Sequence, residues 1–381
     1  MRFRFLLSDQ HGDITLSAED IEQPFLINPS EKHPFLTLAD YFKALENLIL
    51  LDDANILHAV LQQHHALADI SEIIIRSEKH GAYYHIASVE IIGLDENIKF
   101  ALTTALSEPA KTALNEEYFI LQQLSEITSN FIPKIYCKES VTWKTDSGSE
   151  EFLVVLGEWL EGYHEWHLSD DPGSGDRRIH LWDYKKGYRF LSNAESYELL
   201  RQAAYILTYY YDQVDFRQIY PWHHGAGDFV TKCDSGTISV KLITARQYEP
   251  LVQFDQAEEA DRLVAAIQFL LNLGLRMRLD RLDGVGEPAW LGVFEVHAAV
   301  NGFFAGLAAT QAQDRLSIGP VADFLEIMQS FDAQEIYDMH ESLLEIYAEE
   351  DQDDFRLIQA KLPGHAAELH EVLQGFSLEK P

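Results

Sequence analysis

Two histidines and an aspartate fall within a few positions of one another in the segment Tyr220-Pro-Trp-His-His-Gly-Ala-Gly-Asp-Phe-Val-Thr231. A histidine titrates near neutrality and can take a proton from a hydroxyl. His223, His224 and Asp228 are also nitrogen and oxygen donors of the kind that hold zinc. Adjacent histidines point to opposite sides of an extended chain, so a shared ion would need the tight turn that Gly225 and Gly227 permit. A plainer reading gives the pair to the loop backbone as hydrogen-bond partners and makes Asp228 a cap for amides in a Gly-Ala-Gly-Asp turn. A second cluster, His164-Glu-Trp-His167, comes with Trp159, Tyr163 and Trp166. Those rings could stack on a flat ligand or pack in the ordinary way.

The elements that must position these groups change character along the chain. Residues 1–70 read as an extension of unknown role: a strand over Arg2–Leu7, then helical spacing from Leu36 to about Ala68 that buries Tyr41, Leu45, Leu48, Ile49 and Ile56. Residues 71–157 are β-rich. Ile73–Ile75, Tyr83–Ile92 and Ile98–Leu102 are strand-like runs punctuated by Gly81, Gly93 and Asp95-Glu96-Asn97. A helix follows over Pro109–Leu124, then strands over Phe131–Tyr136 and Phe152–Leu156 joined by a hairpin around Thr145–Glu150. Residues 158–381 turn mainly helical, with an amphipathic helix from Ala194 to about Gln213 just before the His-His-Asp segment. A strand-like Ile238–Ile243 and at least four helices come after it.

This order, strand-strand-strand-helix-strand-strand and then helices, resembles the two-lobed protein-kinase-like fold shared by aminoglycoside phosphotransferases, an α+β class. The resemblance covers roughly residues 72 to 310. Protein kinases carry H-R-D-L-x-x-x-N in their catalytic loop, with the Asp as base and the Asn on a metal; the small-molecule kinases use a similar H-G-D-x-x-x-x-N. Aligned by Gly-Asp-Phe-Val, the Asn position becomes Asp228 and the catalytic Asp position becomes His223. The phosphate-binding lysine should end Phe100-Ala101-Leu102, where Thr103 stands; Lys99 has the same strand parity. Glu117-Tyr-Phe-Ile-Leu121 resembles the family's E-x-x-I-L, although Glu117 also reads as an acid on a partly exposed helix face. The metal-binding Asp after Val240–Ile243 is replaced by Thr244-Ala245-Arg246, and Gly81 is the only glycine where a phosphate-covering loop should be. The resemblance therefore implies a nucleotide and metal site at Asp228, Glu117, Thr103 and Thr244 from which the lysine and two aspartates are gone. Mg-ATP is its implied cofactor, and the missing charges argue against its use, because phosphoryl transfer rests on positioning and charge neutralisation.

Composition narrows the partners. The 381 residues carry a net charge of −33, which repels nucleic acid and anionic membranes. Cys137 and Cys233 are the only cysteines, fitting a reducing cytosol. The opening run is too short for a signal peptide, and no uninterrupted apolar stretch approaches the ~20 residues of a membrane helix. The expectation is a cytoplasmic, catalytically degenerate kinase-like protein that binds an unidentified protein or small molecule. One alternative is an atypical phosphotransferase or nucleotidyl-transfer enzyme, with Asp228 on metal, His223 as base and Lys99 or Lys241 at phosphate. The other is a metal-dependent hydrolase at His223, His224 and Asp228. Gly284-Val-Gly286 lacks the strand and third glycine of a dinucleotide motif, and the acids from Glu349 to Asp354 read as a solvated loop.

Overall fold

Alternation in the β-rich stretch sends Ile73 and Ile75, Ala87, Val89 and Ile91, and Phe100 and Leu102 to one face of a sheet, where all are buried. A computed structural model describes residues 2–9, 12–28, 30–50, 70–81, 83–93, 97–183, 186–223, 227–234, 236–252, 254 and 259–378. The chain is mixed α+β and divides into two compact units, Met1–Glu161 and Gly162–Pro381.

In the first unit the sequence-predicted strands form β5 (Glu72–His80), β6 (His85–Ile92), β7 (Asn97–Ala105), β8 (Ile135–Thr145) and β9 (Gly148–Glu158). They pair antiparallel in the order β5-β6-β7-β9-β8, and helix α3 (Glu108–Ile127) lies between β7 and β8 in sequence. Two boundaries differ from expectation. Tyr83 and Tyr84 belong to the β5–β6 turn, and Phe131 to Lys134 precede β8, with Pro133 in their midst. The hairpin at Thr145–Gly148 is as expected.

The first 50 residues do not stand apart. Strand β1 (Arg2–Asp9) pairs in parallel with β5, Arg2 opposite Glu72 and Leu7 opposite Ser77, and β2 (Gly12–Thr15) closes that edge. A short helix α1 (Ala18–Ile21) and a ribbon of β3 (Pro24–Asn28) and β4 (Glu31–Thr37) lead into helix α2 (Leu38–Leu50). Thr37 and Asp40 exchange capping hydrogen bonds at its start. Its Tyr41, Phe42, Leu45, Leu48 and Ile49 are buried against the sheet face described above, as four of them were expected to be. Ile56 lies outside the described residues. On the opposite face, Ala110 and Leu114 of α3 pack on Ala105 and Val155. The sheet is thus covered on both faces, and α2 supplies one of the covers.

The second unit is built on a close helix pair. Helix α4 (Asn193–Tyr210) starts at a capping box, Ser192 with Glu195, and packs on α6 (Val293–Gln311). Gly302 and Gly306 of α6 permit this approach: a Cβ at 302 would sit 2.2 Å from the Arg201 carbonyl oxygen, and one at 306 would sit 2.7 Å from Thr208 Cβ. Helix α6 is long and apolar enough to cross a membrane by composition, a run that the sequence reading did not single out; 56% of it is buried inside the protein. Around this pair lie α5 (Glu259–Arg276), α7 (Val321–Ser330), α8 (Ala333–Met339), α9 (Glu341–Glu350) and α10 (Gln352–Gly375). Small ribbons complete the unit: β10 (Trp166–Asp170) with β11 (Arg177–Leu181) and β12 (Arg189–Phe190); β13 (Arg217–Ile219) with β16 (Tyr248–Pro250); β14 (Phe229–Asp234) with β15 (Thr237–Leu242); and β17 (Leu279–Arg281) with β18 (Pro288–Trp290).

Candidate functional site

Two antiparallel ribbons bring the sequence-predicted loop to its partners. Strand β13 leads into the loop and pairs with β16, whereas β14 leaves it and pairs with β15. The two ends of the loop, Tyr220 and Asp228, are therefore brought beside the segment 243–247. The Ile243 amide donates to the Asp228 carbonyl at 2.8 Å, and the Tyr220 amide donates to the Gln247 carbonyl at 3.3 Å. Asp228 and Thr244, 16 positions apart, thereby come into contact.

At their meeting point the Asp228 carboxylate is 1% exposed and engaged at both oxygens. The Thr244 hydroxyl donates to Oδ1 at 2.6 Å. The His223 amide donates to Oδ2 at 2.7 Å, and Arg246 Nη1 donates to the same oxygen at 2.6 Å. A carboxylate removed from water needs this compensation. The capping role anticipated for Asp228 is part of the arrangement; Arg246 was missed as a partner. Its only signal in the sequence was a cation two residues beyond the lost metal aspartate. Side-chain exposure of Arg246 is 40%, so its charge is shared with solvent.

Such a donor set does not fit a divalent metal. Magnesium takes several oxygen ligands, usually carboxylates with water and phosphate. Here the one carboxylate already faces a guanidinium and accepts hydrogen bonds at both of its oxygens. His223 is half-buried, with its backbone committed to Asp228. His224, Gly225 and Ala226 lie outside the described residues, and so does the two-histidine metal arrangement. Among the described residues no group of three His, Cys, Asp or Glu is placed to hold an ion.

The remaining predicted positions belong to the first unit. Thr103 is half-buried in β7, opposite Ile86 and Val155. Lys99, four residues earlier on the same parity, ion-pairs with Glu78 at 3.3 Å, and its Nζ lies 3.8 Å above the Trp159 ring centroid. Both contacts hold it as a structural cation. Glu117 is 6% exposed on α3, which corrects the reading of an acid on a partly exposed helix face. In the second unit Lys241 sits in β15 opposite Val230.

The aromatic cluster resolves into packing. Trp166 is 1% exposed in the core, the Tyr163 hydroxyl is 2.9 Å from Ser239 Oγ, and Trp159 carries Lys99. His164 Nε2 lies 3.4 Å from Asp183 Oδ1, and the His164 backbone forms a bridge to Thr231. Gly284 and Gly286 are close-packing positions: a Cβ at 284 would meet His167 Nδ1 at 2.5 Å, and one at 286 the Leu282 carbonyl at 2.6 Å. The acidic run is more than a solvated loop. Asp351 caps α10, and Asp354 pairs with Arg281 at 2.7 Å.

No model of a known protein family matches this chain, and no curated protein is similar to it in sequence.

Proposed function

We propose that this chain is a catalytically degenerate, protein-kinase-like module that works by binding a ligand or protein partner in the cytosol, without phosphoryl transfer. One observation carries the reading: Asp228 and Thr244, the two positions that the resemblance assigns to metal ligands, meet at 2.6 Å, and Arg246 donates to the same carboxylate. A fixed guanidinium at that carboxylate offers charge balance without a metal. That guanidinium is already committed to Asp228, and among the described residues the site lacks the further charges with which the resembled kinases hold metal ions on the β- and γ-phosphate oxygens. The order of the five antiparallel strands around one helix supports the kinase-like part of the reading. Two free cysteines support a reducing compartment.

The test is thermal melting with ATP and GTP, each with and without Mg²⁺ or Mn²⁺. A ligand at ~100 times its dissociation constant stabilises a protein by about 2.7 kcal/mol. The expected result is no metal-dependent rise. A rise that Asp228→Ala abolishes, or turnover of Mg-ATP at ~1 per second or faster, would replace this reading with an atypical transferase.

A further inference from the structure

The most unusual chemistry outside this loop is a pair of imidazoles deep in the second unit. His340, between α8 and α9, is 0% exposed, and His365, on α10, is 1% exposed. Their ring centroids are 5.4 Å apart, edge to face. His340 Nδ1 lies 2.7 Å from the Ile336 carbonyl, so that nitrogen carries the proton. His365 Nδ1 lies 3.4 Å from Arg278 Nη1, a donor, so that nitrogen carries the lone pair. His365 Nε2 is buried without a hydrogen-bond partner. Both imidazoles are therefore neutral, in opposite tautomers.

We infer that His340 and His365 form an acid-sensitive latch, which holds α8, α9 and α10 in the second unit and releases them when either ring gains a proton. The one basic nitrogen of His365 already faces a guanidinium, so a proton there breaks the bond to Arg278 and sets two cations side by side. Arg278 is the hub of the attachment. Its Nε donates to the Leu291 carbonyl at 3.0 Å, Nη1 donates to Glu368 of α10, and its guanidinium lies 4.9 Å from the Trp290 ring centroid.

The groups around the pair offer little relief. Glu368, the nearest acid on α10, is already bound to Arg278. Glu295 of α6 senses the Arg278 charge, but its carboxyl is pushed up by burial and resists ionising. From α5 the Leu271 carbonyl faces His340 and favours its charged form, but burial outweighs it. Burial holds His340 down to about 4 and His365 well below its ordinary value. An imidazole held low in the folded state leaves the open state binding more protons below about 6.5, so stability falls as pH falls.

Hydrogen exchange of the full chain, followed by mass spectrometry from pH 7 to 4.5 and corrected for intrinsic rates, tests the latch. Each histidine steepens opening by up to ~10-fold per pH unit below 6.5, so the pair gives up to ~100-fold. Peptides from α8–α10 should lose protection at higher pH than peptides from α4 and α6. In His365→Gln that pH slope should fall to ~10-fold per unit or less. Loss of protection in α8–α10 at the same pH as in α4 and α6 would overturn the latch, as would an unchanged slope in the variant. If His365→Gln does not fold, the wild-type order of opening decides alone.

Discussion

Replacing Arg246 with alanine strands the Asp228 carboxylate, which is 1% exposed and, among the described residues, would keep the Thr244 hydroxyl and the His223 amide as donors. Removing one partner of a fully buried ion pair costs about 3–5 kcal/mol. That figure is too large here, because the Arg246 side chain is 40% exposed and water can replace part of it. A hydrogen bond to a charged group contributes about 1.5–3 kcal/mol, which sets the expected loss near 2 kcal/mol. A unit spanning Gly162–Pro381 loses roughly 2–4 °C in melting temperature per kcal/mol. Arg246→Ala should therefore melt about 4–8 °C lower. The assay is a double-mutant cycle by calorimetry with Arg246→Ala, Asp228→Asn and the pair of changes together. The double variant should recover at least about 1 kcal/mol relative to the sum of the singles, the mark of groups in direct contact. Additive losses, or a single variant that melts with the parent protein, would show that Arg246 does not balance Asp228. The reasoning that sets aside a metal at this position would then fail with it.

Two further predictions concern the helix pair and the cap of α4. Gly302→Ala places a methyl against the Arg201 carbonyl, so α4 and α6 must separate; a loss of about 1–3 kcal/mol, as for other overpacked cores, should appear in urea unfolding. Glu195 is held down to about 2, chiefly by the Arg189 guanidinium and also by Ser192. Its stabilising effect is present above about 4.5, the ordinary value for a glutamate, and is lost as pH falls through the folded value. Glu195→Gln should lower stability at pH 7 and flatten the decline between pH 4.5 and 2, as read from melting curves across that range.

Legibility in the sequence followed the range of the forces. Strands β5 to β7 announce themselves through runs of Ile, Val and Phe, and α4 through Leu199, Leu200, Ala203, Ile206 and Leu207, because burial imposes a period on neighbouring residues. Strand β1 was visible as a strand, but its parallel partner was not. Parallel pairing leaves no turn to read, and Arg2 meets Glu72 across the whole intervening segment. The site was legible in part for the same reason. Asp228 stands out in a glycine-rich loop, and Thr244 follows a strand at a countable distance. The Arg246–Asp228 pair spans 18 positions and obeys no period. Gly284 and His167 likewise reveal their close approach only when folded.

The parallel contact between β1 and β5 also orders events during synthesis. Strand β1, with Phe3, Phe5, Leu6 and Leu7, is made before its partner, and 72 − 9 = 63 positions separate the end of one from the start of the other. At about 5–20 residues per second the ribosome takes roughly 3–13 s to cover that interval. Throughout it the strand can pair with β2 but not with β5, and its apolar side chains are open to chaperones or to another nascent chain. Slowing translation between residues 10 and 71 would lengthen this exposure without altering the finished protein.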